Sequence, residues 1–145
     1  MSMAFTYPKS RYEPDVLVDL TDRPERERLS KSALIAFFNL AREWQLRDED
    51  ARELLGGLSA STWYEWKKKP DRVLDVDRIT RISYLIGIYK SLHILHAEEL
   101  ANRWVHLPNK NVIFGGRTPL AMMMSGGLLA MQTVRQLLDA RRGGI

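Results

Sequence analysis

Apolar residues along most of the chain recur at steps of three and four, which is the period of an α-helix. One such stripe predicts a helix over residues 31–45 and consists of Leu34, Phe37, Phe38, Ala41 and Trp44. A second stripe predicts a longer, central helix over residues 75–93 and consists of Ile79, Ile82, Leu85, Ile86, Tyr89 and Leu92. Because no convincing run alternates with period two, the pattern predicts an all-α fold.

Capping and breaking residues divide the rest of the chain into shorter helices. A helix over residues 48–55 opens with three acidic residues, which favour the positive end of a helix dipole, and ends at Gly56-Gly57. Ser59 has the N-cap position of a third helix, which runs to about Lys69 and ends before a proline. Further helices are predicted over residues 97–105, 119–124 and 128–140. Gly126-Gly127 separates the last two.

The first 29 residues differ from the remainder. Prolines at positions 8, 14 and 24 are mixed with closely alternating charges, and no apolar period is sustained. This composition predicts a mobile or draped N-terminal arm over residues 1–29, in which the short apolar patch over residues 16–20 could pack on the fold or on a partner.

Composition excludes several classes of protein. A chain of 145 residues is long enough to bury a core without disulfides or a structural metal, and it contains no cysteine. No targeting signal is recognisable, and no uncharged apolar run approaches the roughly 20 residues that span a bilayer. We therefore expect a cytoplasmic protein without a membrane partner.

Positive charge is moderate overall but clustered. The formal net charge is +4, and basic residues gather at Lys67, Lys68, Lys69 and Arg72 and again near the C-terminus. Clustered cations favour polyanionic partners such as DNA.

Residues 48–69 fit the plan of a helix-turn-helix, in which a second short helix lies in the major groove of DNA. Ala51 is small where the two helices would cross, and Trp63 and Trp66 would anchor the second helix to the core. The candidate DNA-binding residues are Ser59, Ser61, Thr62, Tyr64, Lys67, Lys68, Lys69 and Arg72. We expect lysines on phosphates and hydroxyl groups near base edges, with capping as the alternative role of Thr62.

Two features weigh against this interpretation. The turn from Gly56 to Ser59 is one residue longer than the usual Gly-x-Ser spacing, and Glu65 repels phosphate unless it pairs with Lys68 or Lys69. An ordinary helical hairpin with solvated lysines is the alternative.

Other chemistry has little support in the sequence. His93 and His96 are three residues apart, but no further residue completes a recognisable metal-ligand spacing. Glu98 and Glu99 lie near His96, yet adjacent residues point to different sides of a helix and form no convergent acid–base pair. Nucleotide-binding fingerprints are also missing. We expect no metal, no cofactor and no enzymatic activity.

The C-terminal third carries a recognisable combination of motifs. It reads Trp-Val-His-Leu-Pro-Asn at 104–109, Gly-Gly-Arg-Thr-Pro-Leu at 115–120, Gly-Gly at 126–127, and a last helix with Val134 and Leu137-Leu138. This order resembles the toxin-binding domain of the Xre/MbcA/ParS antitoxin family. Upstream, Leu54-Leu55-Gly56, Ser61-Thr62 and Trp66-Lys67 are similar to that family's helix-turn-helix. The resemblance covers about residues 31–144.

The resemblance implies a homodimer that covers the active site of a RES-domain toxin, an enzyme that destroys NAD, and that represses the shared operon by binding operator DNA. It divides the chain into the arm, an Xre-like helix-turn-helix domain over residues 30–95 and a toxin-binding domain over residues 96–145. It implies the toxin-binding residues Asn109, Gly115, Gly116, Arg117, Thr118, Pro119, Arg135, Arg141 and Arg142.

Alternatives remain at these positions. Thr118 and Pro119 suit the start of a helix, and Arg117 has Asp139 or Glu99 as possible surface ion-pair partners. The loop over residues 109–114 is longer than is common in the family. At the level of the whole protein, the alternatives are a plain repressor without a toxin partner and a protein-interaction module with a degenerate helix-turn-helix.

Overall fold

The computed structural model describes residues 18–143, which form six α-helices and no β-strand. The helices are α1 (Arg23–Glu43), α2 (Asp48–Leu54), α3 (Ala60–Lys68), α4 (Val76–Leu95), α5 (Glu98–Arg103) and α6 (Pro119–Arg142). Two single 3-10 turns lie between α5 and α6, at Trp104–His106 and Val112–Phe114. The predicted all-α fold is confirmed for this part of the chain, and no helix in it combines the length and the apolar character of a membrane span.

Helix α1 begins at Arg23, whereas the sequence predicted a start at Lys31. Pro24 lies in the first turn, where a proline is tolerated, and Arg23 pairs with Glu27 across one turn at 2.9 Å. The alternating charges of this segment form ion pairs on an exposed helix. Residues 23–29 therefore belong to α1, and the prediction of an arm is wrong for them. The part of that arm in residues 1–17 lies outside the described residues.

Helix α4 is the centre of the fold and packs against α1, α5 and α6. Its residues Ile82, Leu85, Ile88 and Leu92 are completely buried. The central position predicted from its wide apolar face is confirmed.

The hairpin of α2 and α3 is fixed to α1 by aromatic packing. Trp63 is 2% exposed, and its ring forms T-shaped pairs with those of Phe37 and Phe38 at centroid distances of 6.0 and 5.2 Å. Ala51, 1% exposed, lies on the buried side of α2 as expected. Edge-to-face aromatic pairs of this kind add to the free energy gained from burial.

The long turn between α2 and α3 depends on two glycines with left-handed backbone. Gly56 and Gly57 have φ angles of +93° and +84°, a region that residues with a Cβ rarely adopt. The Arg52 guanidinium donates to the Leu58 carbonyl at 2.9 Å and closes the turn. As predicted, Ser59 caps α3, since its hydroxyl accepts the Thr62 amide at 3.2 Å.

A buried serine fixes the segment that leaves α3. Ser30 of α1 is 0% exposed, and its hydroxyl accepts the Leu74 amide at 2.8 Å. Asp75 then caps α4 by accepting the Arg78 amide at 2.8 Å. The path from α3 to α4 is therefore tied to α1 by a side-chain hydrogen bond.

The C-terminal part is built around the two 3-10 turns and α6. Phe114, fully buried, packs edge-on against Trp104 with ring centroids 6.0 Å apart. Helix α6 is interrupted at Gly127, whose φ of 63° and ψ of −143° are not helical. The predicted break at Gly126-Gly127 is confirmed, whereas the turn that buries Phe114 was not predicted.

Two candidate binding surfaces

The first candidate surface is the exposed side of α3, opposite the buried Trp63. Of the predicted DNA-binding residues, two are half-buried, namely Thr62 and Arg72. The other six are exposed: Ser59, Ser61, Tyr64, Lys67, Lys68 and Lys69. The structure thus brings this set together around one short helix. The polar residues come first and the cations last, at the negative end of the helix dipole.

Ser59 and Thr62 are both used in the helix cap. Ser59 accepts the Thr62 amide, and its own hydroxyl donates to the Thr62 hydroxyl oxygen at 2.9 Å. Thr62 therefore has the helix-capping role that the sequence offered as the alternative to a DNA contact. Ser61 and Tyr64, the other two hydroxyl-bearing residues of this surface, are exposed.

Asp48, the first residue of α2, receives three donors from α3. Its carboxylate accepts the Trp63 indole N–H at 2.9 Å, the Tyr64 hydroxyl at 2.9 Å and the Lys67 ammonium at 3.3 Å. The hydrogen bonds from Trp63 and Tyr64, followed by Lys67, lower the pKa of Asp48 below its usual value of 3.8. The hydrogen bond with Asp48 also raises the pKa of the Tyr64 hydroxyl.

The Lys67 ammonium also lies near two aromatic rings, 5.4 Å from the centroid of Trp63 and 5.5 Å from that of Tyr64. These distances are within the range of cation–π attraction. Asp48 was not among the residues predicted from sequence. No sequence signal marks it, because its partners belong to a different helix.

Glu65 has a different partner from those considered in the sequence. It accepts from the Arg72 guanidinium at 2.9 Å, so its cationic partner is Arg72 and not Lys68 or Lys69. Arg72 follows the end of α3 and folds back along it. The acidic charge within the basic cluster is therefore neutralised while both lysines stay exposed.

The second candidate surface is the loop and turn before α6. The Asn109 side chain accepts the Asn111 amide at 2.9 Å, and Asn111 in turn accepts the Ile113 amide at 3.1 Å. These bonds shape an open depression of about 630 Å³ lined by residues 108–112 and two glycines. Val112 at its rim is 90% exposed.

The turn that follows separates exposed residues from residues used in helix initiation. Gly115, Gly116 and Arg117 are exposed. Thr118 caps α6 by accepting the Ala121 amide at 3.1 Å, and Pro119 is buried. The helix-start role weighed for Thr118 and Pro119 is what their contacts show.

The guanidinium of Arg117 donates to the Ser125 hydroxyl at 3.0 Å and to the Phe114 carbonyl at 3.3 Å. The structure therefore does not show the ion pair with Asp139 or Glu99 that was weighed as an alternative role for this residue. These contacts orient a charged, exposed group at the start of α6.

The other predicted toxin-binding arginines lie at the far end of α6. Arg135 donates to Asp139 at 3.1 Å, and Arg142 donates to the buried Ser91 of α4 at 3.1 Å. A Cβ on Gly87 would collide with the Arg135 guanidinium, which therefore rests directly on the backbone of α4. The structure thus places Arg135 and Arg142 along the α4–α6 contact; Arg135 is half-buried there, whereas Arg141 and Arg142 are both exposed.

Arg81 of α4 contacts both halves of the molecule. It donates to Asp77 at 2.9 Å and to the Leu54 carbonyl at the end of α2 at 3.4 Å. A Cβ on Gly127 would lie 3.7 Å from its Nη2 atom. One guanidinium therefore reaches the helix-turn-helix and the kink of α6. The sequence signals only the Asp77 pair, through its i, i+4 spacing.

No group of three His, Cys, Asp or Glu residues that could hold a metal ion occurs within residues 18–143. The His93 ring shares a hydrogen bond of 2.9 Å with the Tyr89 carbonyl and stacks on the Tyr89 ring at 4.0 Å. His106 bonds to the Trp44 carbonyl at 2.5 Å. Both histidines therefore have hydrogen-bond roles in the fold, and His93 also packs on an aromatic ring.

Comparison with known proteins places both surfaces in named domains. Residues 21–87 match the model of the antitoxin Xre-like helix-turn-helix domain, and residues 91–144 match that of the antitoxin Xre/MbcA/ParS C-terminal toxin-binding domain. Among curated proteins, the chain is similar to the uncharacterized protein y4oB of Sinorhizobium fredii (strain NBRC 101917 / NGR234). The two are 40% identical over 112 residues, which is 77% of this chain and 84% of y4oB. No solved structure matches the chain.

Proposed function

We propose that this chain, which belongs to the Xre/MbcA/ParS antitoxin family, neutralises a RES-domain toxin by covering its NAD-degrading active site and represses its own operon. In this proposal it acts in the cytoplasm as a homodimer. Its contribution is a binding surface on each half, and the catalysis belongs to the toxin.

The exposed Gly115-Gly116-Arg117 turn carries the toxin-binding half of the proposal. Its neighbours Thr118 and Pro119 are occupied in starting α6, whereas Arg117 extends into solvent from a position fixed by Ser125. A planar guanidinium suits a pocket built for the phosphates of a dinucleotide or for acidic side chains. The Val112 side chain, which lines the adjacent depression, is 90% exposed and accessible to a partner protein.

An inhibition assay tests this half. A purified RES-domain toxin from the same host is mixed with increasing amounts of the chain, and loss of NAD is followed. We expect inhibition to become complete at a fixed molar ratio. Arg117→Ala is expected to weaken inhibition at least tenfold, whereas Arg103→Ala, which removes an exposed arginine from α5, should leave it unchanged. Undiminished NAD loss at saturating antitoxin would refute the RES assignment.

The exposed face of α3 carries the DNA-binding half. We propose that α3 enters the major groove of operator DNA with Lys67, Lys68 and Lys69 on phosphates and Ser61 and Tyr64 near base edges. In a homodimer, two copies of α3 would read half-sites about one helical turn apart.

The salt dependence of DNA affinity tests this half. Removing one lysine–phosphate contact flattens the slope of log K against log salt by about one unit. We expect this change for Lys68→Ala. Lys110→Ala, which removes an exposed lysine from the loop before α6, should keep the wild-type slope. Equal slopes for all three proteins would contradict the placement of α3 on DNA and favour a pure protein-interaction module.

A further inference from the structure

We propose that Asp48 is a positioning residue for the recognition of DNA sequence. It holds the side chains of Tyr64 and Lys67 in place on α3, and it releases Lys67 to a phosphate when DNA binds. In this way it increases the preference of the protein for specific over non-specific DNA. This inference rests on the proposed DNA-binding role of α3. It assigns a function to a residue that lies on α2, outside the candidate contact set.

The first observation is the convergence of donors. Three side chains of α3 donate to one carboxylate: the Trp63 indole and the Lys67 ammonium to Oδ1, and the Tyr64 hydroxyl to Oδ2. Asp48 opens α2, where the positive end of the helix dipole favours a negative charge. Its lowered pKa agrees with a carboxylate that stays ionised at neutral pH.

The second observation is the location of two of these partners. Trp63 is in the core, but Tyr64 is 50% exposed, and the side chains of Lys67 and Asp48 are 43% and 42% exposed. Ion pairs with this much solvent contribute little to stability. The contacts to Tyr64 and Lys67 therefore act mainly on the orientation of two side chains on the proposed DNA-binding surface.

The third step concerns charge. A phosphate that contacts Lys67 also approaches the negative Asp48, so this carboxylate opposes every phosphate contact at that site, whatever the base sequence. Base readout instead requires side chains with defined geometry, since discrimination depends on aligned hydrogen bonds and close packing. Asp48 thus weakens non-specific binding and orders the groups that read bases.

The test uses two DNA duplexes: one selected from a random pool by the wild-type protein, and a scrambled duplex of the same composition. Affinities for both are measured at several salt concentrations. Asp48→Asn keeps an oxygen that can accept from Trp63 but removes the charge. We expect this variant to bind the scrambled duplex several-fold more tightly and its ratio of selected to scrambled affinity to fall about tenfold.

Asp50→Asn is the matched control. It makes the same change in net charge on the same helix, but the partner of Asp50 is Arg47, at 3.0 Å, and not a side chain of α3. We expect its ratio of affinities to match that of the wild type. A ratio that falls equally in both variants would mean that net charge alone is responsible, and it would overturn the positioning role.

Tyr64→Phe keeps the proposal testable if Asp48→Asn does not fold. It removes only the hydroxyl that Asp48 orients, so we expect the ratio to fall without any gain in affinity for the scrambled duplex. An unchanged ratio in Tyr64→Phe, or in an Asp48→Asn protein that melts like the wild type, would overturn the inference. If the wild type itself selects no sequence from the random pool, the proposed DNA-binding function is refuted. That outcome is distinct from a wild type that selects a sequence and variants whose affinity ratio does not change, which refutes only the role of Asp48.

Discussion

The buried hydroxyl of Ser30 offers a precise test of how the helix-turn-helix is held. It accepts the Leu74 amide at 2.8 Å and donates to the Arg26 carbonyl at 2.5 Å. Ser30 is 0% and Leu74 2% exposed. Ser30→Ala therefore removes the acceptor of a buried amide at the point where the chain passes from α3 to α4.

The magnitude follows from two opposing effects. Leaving a buried donor without its acceptor costs about 1–3 kcal/mol. Alanine is a better helix former than serine, which returns about half a kcal/mol within α1. We expect a net loss of about 1–2 kcal/mol, which for a chain of this length lowers Tm by about 3–8 °C.

Thermal unfolding followed by circular dichroism measures this shift. Ser32→Ala is the control, because Ser32 lies two residues along the same helix but is exposed, and its hydroxyl bonds to the Leu29 carbonyl within that helix, at 3.2 Å. We expect Ser32→Ala to leave Tm unchanged or to raise it slightly. A Ser30→Ala protein as stable as Ser32→Ala would refute the role assigned to the hydrogen bond.

Three further predictions concern other parts of the chain. The pKa of Asp48 is lowered from 3.8 on folding, so the ionised carboxylate stabilises the fold above that pH, and this contribution is lost as pH falls through the folded-state pKa. The Tm difference between the wild type and Asp48→Asn should therefore shrink below about pH 4. A difference that stays constant with pH would contradict this. Gln45 has a φ of 51° just after the end of α1, a left-handed backbone conformation that glycine adopts without strain. Gln45→Gly should therefore raise the free energy of unfolding, measured by chemical denaturation, by about 0.5–1 kcal/mol. A lower free energy of unfolding would show that contacts of the Gln45 side chain outweigh its backbone strain. Phe114→Ala should cost about 3–5 kcal/mol by the same measurement, because it empties a buried site beside Trp104; a cost below about 1 kcal/mol would mean that this turn is not part of the core.

Most of the helical architecture was predictable because it depends on local signals. Apolar periodicity located α1 and α4, and the caps Ser59 and Thr118 were identified from residue type and position alone. The start of α1 was missed because ion pairs between neighbouring turns replace an apolar stripe there. The 3-10 turn at Val112–Phe114 was missed because its formation depends on burial of Phe114 against a distant tryptophan.

The candidate surfaces were predictable in residue type but not in detail. Cations and hydroxyls at helical spacing identified the exposed face of α3. The sequence did not reveal that Asp48 gathers three donors, because that contact joins residues 15 to 19 positions apart. Likewise, the position of Arg142 follows from the packing of α4 and α6, which brings it to a serine 51 residues away.

The two matched domains share one core, which determines how their surfaces relate. The matched regions meet between residues 87 and 91, inside the continuous helix α4, where Ile88 and Leu92 are fully buried. Helix α4 packs on α1 from the first region and on α6 from the second. Arg81 donates to the Leu54 carbonyl at the end of α2 and lies beside Gly127 at the kink of α6. A hinge at this boundary would expose those buried side chains. We therefore expect the two candidate binding surfaces to stay fixed relative to one another and the two matched regions to unfold together, in one cooperative transition.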